Sequence, residues 1–241
     1  MYQLEENNWW FQGRRKIFMT FLEIRSGKKK KKKILDVGCG TGTMLNYLAQ
    51  HGQVEGIDNS KKAVAFCRQR GFKNTCLGDA QKLPFSDNSF DLVTAFDTLE
   101  HIEDDQIALK EFYRVLRPNG LILMTVPALP IIWSSHDVIH CHFRRYKLAN
   151  LKKKLKVAKF EPTKTTYINS LLFLPAFVFR FSTGFLNRLG IFRKHTDLVS
   201  IPPFINSFLS KIFCLEAFFL RYIDFPLGIT ILVEAKKREE K

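Results

Sequence analysis

Nine residues, ILDVGCGTG at 34–42, limit the folds open to this chain more than any other stretch. A short apolar run ends in glycines at 38, 40 and 42, and a helix is predicted over 43–50. Glycines at a strand-to-helix turn let a ligand approach the backbone closely, where the first N–H groups of the helix face it. The spacing departs from the dinucleotide pattern G-x-G-x-x-G, because its sixth place is Thr43. A glycine loop alone is weak, so the residues downstream of it decide.

Downstream, strand and helix alternate. Strands are predicted at 33–37, 54–58, 74–79, 90–97 and 121–128, with helices at 60–70, behind a Ser60 cap, and at 104–116, ended by RPNG. Such alternation implies an α/β fold with a mainly parallel sheet and helices on both faces. Asp58 ends the second strand twenty residues after Gly38, where a doubly wound fold places an acid for a ribose diol. Asp79 ends the third strand and Ala80 comes next, so a carboxylate and a backbone N–H could read the polar edge of adenine.

Taken in order, ILDVGCGTG, VEGIDNS, GDAQKLPFSDNSFDLV and DTLEHI resemble a class I S-adenosylmethionine-dependent methyltransferase over residues 34–128. WWFQGRR near the start and WSSHD…HFRRY after the fifth strand are similar to a bacterial and archaeal subgroup of the type 11-like methyltransferases. The resemblance implies a Rossmann-like, doubly wound, seven-stranded sheet whose last strand is antiparallel. It also implies S-adenosyl-L-methionine as cofactor, held by Asp36, the loop Gly38, Cys39, Gly40, Thr41 and Gly42, then Asp58 with Asn59, Asp79 with Ala80, and Asp97. Four segments are expected: an N-terminal helical arm with a lysine-rich linker (1–33), the cofactor-binding core (34–168), a Phe-rich helical insert (169–226), and a final strand with a charged tail (227–241).

The acceptor side is read from WSSHDVIHCHFRRY, 133–146. Transfer to a hydroxyl needs a base, and histidine is the usual side chain near neutral pH. His136 is the first candidate and His101 the competing one; the alternative for each is an ordinary packed or capping histidine. Asp137 beside His136 points elsewhere on a helix, so a His136–Asp137 dyad is not assured. His136 and His140 could share a helical face, but His142 lies off it and no Glu or Cys nearby completes a familiar metal set, so no metal is expected. Arg144, Arg145 and Tyr146, with Trp133, are candidate acceptor contacts, the arginines for an anionic group; the alternative is the solvated face of a helix over 147–158. Arg14 and Arg15 share that duty if the arm folds over the crevice, where Trp9 and Trp10 would roof it.

Composition narrows the partners. The formal net charge of +15 points to an anionic partner. Five scattered cysteines without CxxC spacing argue against a disulfide framework. No signal-like apolar run opens the chain and none reaches membrane-spanning length, so a cytoplasmic location is expected, with peripheral contact at the inner membrane face. Thirteen of the 23 phenylalanines lie between 160 and 225, so the insert either completes the core or sits in a membrane interface. The leading expectation is methyl transfer to a small-molecule or lipid- or glycan-linked acceptor at a membrane surface. RNA methylation is the alternative raised by charge, yet DTLEH lacks the Asn/Asp-Pro-Pro-aromatic signature and no RNA-binding module is visible, so nucleic acid is not the expected partner. A non-catalytic cofactor-binding subunit that docks a partner through the insert also stays open.

Overall fold

The computed structural model describes residues 5–26, 32–188 and 201–238. The first four of the six lysines in the run, part of the insert and the tail's last residues fall outside this range. One seven-stranded sheet organises the chain, in the order β3-β2-β1-β4-β5-β7-β6. Its strands are β1 (Lys32–Val37), β2 (Gly52–Asp58), β3 (Thr75–Leu77), β4 (Phe90–Phe96), β5 (Leu116–Pro127), β6 (Phe160–Ile168) and β7 (Thr230–Lys237). β1 to β5 run parallel, and β7 is antiparallel to both β5 and β6. Strand order reverses between β1 and β4, and in such sheets ligands bind outside the carboxyl ends at that point.

Alternation along each strand sorts the side chains into two cores. Leu35, Val37, Val93 and Ala95 face helices α4 (Asp105–Val115) and α6 (Leu148–Val157), in a cluster with Phe112 and Leu151. Ile34, Leu92, Leu123 and Leu232 face the other way, onto α1 (Trp9–Ser26) and α8 (Pro203–Phe219), through Phe18, Phe21 and Phe213. The two ends of the chain thus build one layer together. Gly13 makes that layer close-packed, since a Cβ there would meet the Phe213 ring at 2.3 Å. Helices α2 (Thr43–Leu48) and α3 (Lys61–Gln69) flank the glycine turn, and Ser60 caps α3 by accepting from the Ala63 N–H at 3.3 Å.

Two local details differ from expectation. RPNG is no simple turn: β5 begins at Leu116, and the pairing shifts from Phe90↔Leu116 to Leu92↔Leu121, so the four residues form an irregularity inside a strand. α8 mixes polar and apolar side chains on both of its faces. Ser210 and Glu216 are buried, whereas Phe204, Phe208 and Phe218 are 75%, 63% and 56% exposed. Ser210 donates to the Gln12 side chain at 2.6 Å, and the Glu216 carboxylate accepts from the N–H groups of Asn169 and Leu171 at 2.7 and 2.8 Å. Burial nevertheless pushes the Glu216 pKa up to about 7. Helix α7 (Phe173–Arg188) likewise presents Leu174, Val178, Phe179 and Phe181 outward. Among the described residues no helix is long and apolar enough to cross a membrane.

Candidate functional site

The glycine loop sits at the switch point. Gly38 has φ +70 and a Cβ there would meet the Thr98 hydroxyl at 2.4 Å, so only glycine fits between β1 and the turn after β4. Gly40, also left-handed at φ +56, has open space where a Cβ would project. Its N–H donates to the Asp58 carboxylate at 2.9 Å, and the other oxygen of Asp58 accepts from the Ser60 N–H at 2.9 Å. Each oxygen keeps a lone pair for further donors, as a vicinal diol requires.

Asp36 lies behind the loop, buried, and accepts from Thr94 Oγ1 at 2.6 Å. Desolvation raises its pKa to about 7 against the opposing Thr94 hydrogen bond, and the neighbouring Asp58 adds to the rise. Cys39 and Cys67 approach to 3.7 Å between sulfurs beneath the loop, and Cys67 Sγ donates to the Gly40 carbonyl at 3.2 Å. Asn59 and Asp79 are exposed and Ala80 is half-buried; the Asp79 side chain accepts from the Gln81 N–H at 2.8 Å.

Two arm residues reach the crevice, one at the glycine loop and one past the end of β4. Glu5, invisible to motif reasoning, is buried and accepts from the hydroxyls of Thr41 and Thr43, the latter at 2.5 Å. Arg14 is ion-paired with Asp97, and the Thr125 hydroxyl joins the two, accepting from Arg14 at 3.1 Å and donating to Asp97 at 3.1 Å. Asp97 holds φ +47, a left-handed conformation rare outside glycine, just past the end of β4. Arg14 also lies over the rings of Trp10 and Phe18, at 5.6 and 5.2 Å.

Other arm residues are spent on packing. Trp9 and Trp10 stack against Phe213 at 5.8 and 5.4 Å, so they join α1 to α8 instead of roofing the crevice. Arg15 donates to the carbonyls of Glu5 and Glu6 and covers the Tyr47 ring at 5.5 Å, which ties it to its own arm.

The 133–146 segment separates just as sharply. A 3₁₀ turn, Pro130–Ile132, leads through half-buried Trp133 into α5 (Ser135–Ile139). Asp137 is fully buried and accepts from the Ser134 N–H at 3.0 Å and Arg145 Nε at 2.8 Å, and pairs with His142 Nδ1 at 2.9 Å. Those partners hold its carboxyl far below the usual range despite burial. The dyad therefore forms to His142, not His136. Arg145 spends a second nitrogen on the Ala128 carbonyl at 2.9 Å, and Tyr146 is buried with its hydroxyl on Asp105 at 2.9 Å. Both side chains are buried. Arg144 donates to the Glu103 carbonyl at 2.7 Å and pairs with Asp105 at 3.2 Å, in a cleft lined also by Asp104 and Lys154. Arg144 thus ties the segment after β5 to the start of α4.

His136 stacks on His140 with ring centroids 4.3 Å apart. Burial first, then Arg180 and neighbouring imidazoles, lower its pKa to about 2. It is held neutral, but it is a weak base there. The His101 pKa is also lowered, by burial and by His142. Burial and Asp97 raise that of Glu100 well above the usual carboxylate range.

Residues 35–124 match the family model described as "Methyltransferase domain". The sheet order, the glycine loop and this match define a class I S-adenosylmethionine-dependent methyltransferase domain, and S-adenosylmethionine is the cofactor of that class. Among curated proteins, the chain is 39% identical over 128 residues to demethylmenaquinone methyltransferase of Staphylococcus aureus, covering 48% of this chain and 52% of that enzyme. It is 33% identical over 117 residues to phosphoethanolamine N-methyltransferase 3 of Arabidopsis thaliana, covering 46% of this chain and 23% of that enzyme. The chain thus spans about half, or less, of the length of these relatives. The fold is shared with a chain of the complex between the Haloferax volcanii Trm112 methyltransferase activator and a methyltransferase (TM-score 0.63, 18% identity, 100% of this chain and 93% of that one). It is shared also with Haemonchus contortus phosphoethanolamine N-methyltransferase 2 bound to phosphomonomethylethanolamine and S-adenosylhomocysteine (TM-score 0.61, 20% identity, 92% and 52%).

Proposed function

We propose that this chain transfers a methyl group from S-adenosylmethionine to a small-molecule or lipid-linked acceptor reached from a membrane surface. One observation carries the proposal: the glycine loop, Asp36, Asp58 and Asp97 converge on the crevice at the switch point of a matched methyltransferase domain. When bound, the cofactor supplies a methyl group already activated on a sulfonium, so the protein's task is alignment.

The residues present fit it. Open space at Gly40 leaves room for backbone approach, and Asp58 retains acceptor capacity for ribose hydroxyls. Asp79 with Ala80 serves the adenine edge, and Asp36 lies behind the loop that cradles the methionine part. The Arg14–Asp97 pair offers opposite charges to an amino-acid moiety. Acids at three strand ends also suit a cationic sulfonium.

The membrane reading rests on the outer faces of α7 and α8, where Leu174, Val178, Phe179, Phe204, Phe208 and Phe218 are exposed. The overall charge of +15 favours an anionic membrane as the partner. Two relatives support a small-molecule acceptor: one is called a demethylmenaquinone methyltransferase and another a phosphoethanolamine N-methyltransferase. The test is transfer of tritiated methyl from labelled cofactor into membranes of cells lacking the protein. Label in the organic extract is the expected result, and label confined to RNA or to water-soluble metabolites would overturn the membrane-acceptor reading.

A further inference from the structure

The acceptor side of the crevice gathers metal-type ligands from places far apart in the chain. Glu100 and His101 lie in the 3₁₀ turn Leu99–His101 after β4, and His142 lies in the loop after α5. One ligand atom from each lies within 4.8 Å of the others. Reading 133–146 by itself missed this set, because its carboxylate comes from more than thirty residues upstream.

Two independent features point to a cation. Glu100 is fully buried, and neither carboxylate oxygen has a hydrogen-bond partner among the described residues. A buried acid without a partner is costly, and each nearby arginine has its own carboxylate: Arg14 has Asp97 and Arg145 has Asp137. His142 is also oriented as metal-binding imidazoles are. Its Nδ1 is committed to Asp137 at 2.9 Å, and Asp137 is itself clamped by Arg145 and by the Ser134 N–H. A carboxylate on one ring nitrogen fixes the proton there and leaves Nε2 as the ligand atom. The His101 ring meets the His142 ring edge-on at 4.7 Å, which places both imidazoles at one locus.

Two imidazoles and one carboxylate form a donor set for a first-row divalent cation, with further positions left for outside ligands. Hard cations such as magnesium and calcium favour oxygen-only sets. We propose that Glu100, His101 and His142 bind one such transition-metal cation, of zinc-like ligand preference, whose remaining position takes an oxygen of the acceptor. Cation binding stands on the cluster alone; its use on an acceptor rests on the methyltransferase reading above.

The experiment uses the full chain, tag removed and chelator-treated, titrated with Co(II) as an optical probe and competed with Zn(II). One cobalt per chain is expected, with a d–d absorption spectrum of nitrogen and oxygen ligation. His101→Ala and His142→Ala should each weaken binding at least about tenfold. His101 is exposed, so its variant should melt like wild type and report on ligation. Cys141→Ser, which removes the exposed thiol next door, should bind as wild type does. Absence of stoichiometric uptake, unchanged affinity in both histidine variants, or loss in Cys141→Ser alone overturns the site. Cofactor binding measured on the same samples separates the two readings. Cofactor bound without cobalt ends the metal site and leaves the methyltransferase, whereas cobalt bound without cofactor does the reverse.

Discussion

At the scale of single residues, Asp36 carries a cost that the crevice imposes. Its neighbours bury it, and its pKa rises from 3.8 to about 7. Between those values the unfolded chain has released the proton while the folded chain keeps it, so this contribution to stability falls as pH rises through that window. The shift corresponds to roughly 4 kcal/mol. Asp36→Asn removes the titration. In thermal melts without cofactor, the variant should lose less stability than wild type between pH 4 and pH 8 and should be the more stable of the two at pH 8. Equal slopes would contradict it. The glycine loop and the strand-end acids were legible because each depends on sequence neighbours alone. The fates of Arg144, Arg145 and His142 were not. α5 ends at Ile139 and the chain turns back through Cys141 at φ +55, which brings His142 rather than His136 onto Asp137.

At the scale of elements, helical spacing reveals that α8 has a polar stripe but not which side faces inward. Ser210 and Glu216 turn inward while Ser207 and Lys211 stay exposed, because Glu216 satisfies backbone N–H groups at the start of the insert and Ser210 meets Gln12 on α1. Those partners lie 45 or more residues away, so no local pattern announces them. The consequence is an outward row of aromatic residues. Replacing Phe204, Phe208 and Phe218 together by serine should reduce partitioning onto phosphatidylglycerol vesicles by at least about tenfold, since each buried phenylalanine contributes roughly 1 kcal/mol or more. Sedimentation with vesicles reads the first quantity. The melting temperature should stay within a few degrees, because these side chains make little of the core. Undiminished partitioning would remove the membrane role of this face.

At the scale of the whole molecule, alternation of strand and helix predicts the parallel sheet, and the ordered motifs add its reversed last strand through the family they resemble. The sheet's second covering layer was harder to foresee, because α1 and α8 come from opposite ends of the chain and meet only through contacts such as Gly13 against Phe213. That layer positions Glu5 on the loop threonines and Arg14 on Asp97, so the arm belongs to the crevice as much as the core does. The central claim is that this crevice holds S-adenosylmethionine, and calorimetric titration of the purified chain with the cofactor tests it most directly. One cofactor per chain is expected, with affinity falling at least about tenfold in Asp58→Ala, as loss of charge-assisted hydrogen bonds to a diol requires. Absence of binding by the wild-type chain, or equal affinity in a folded Asp58→Ala, would contradict the account.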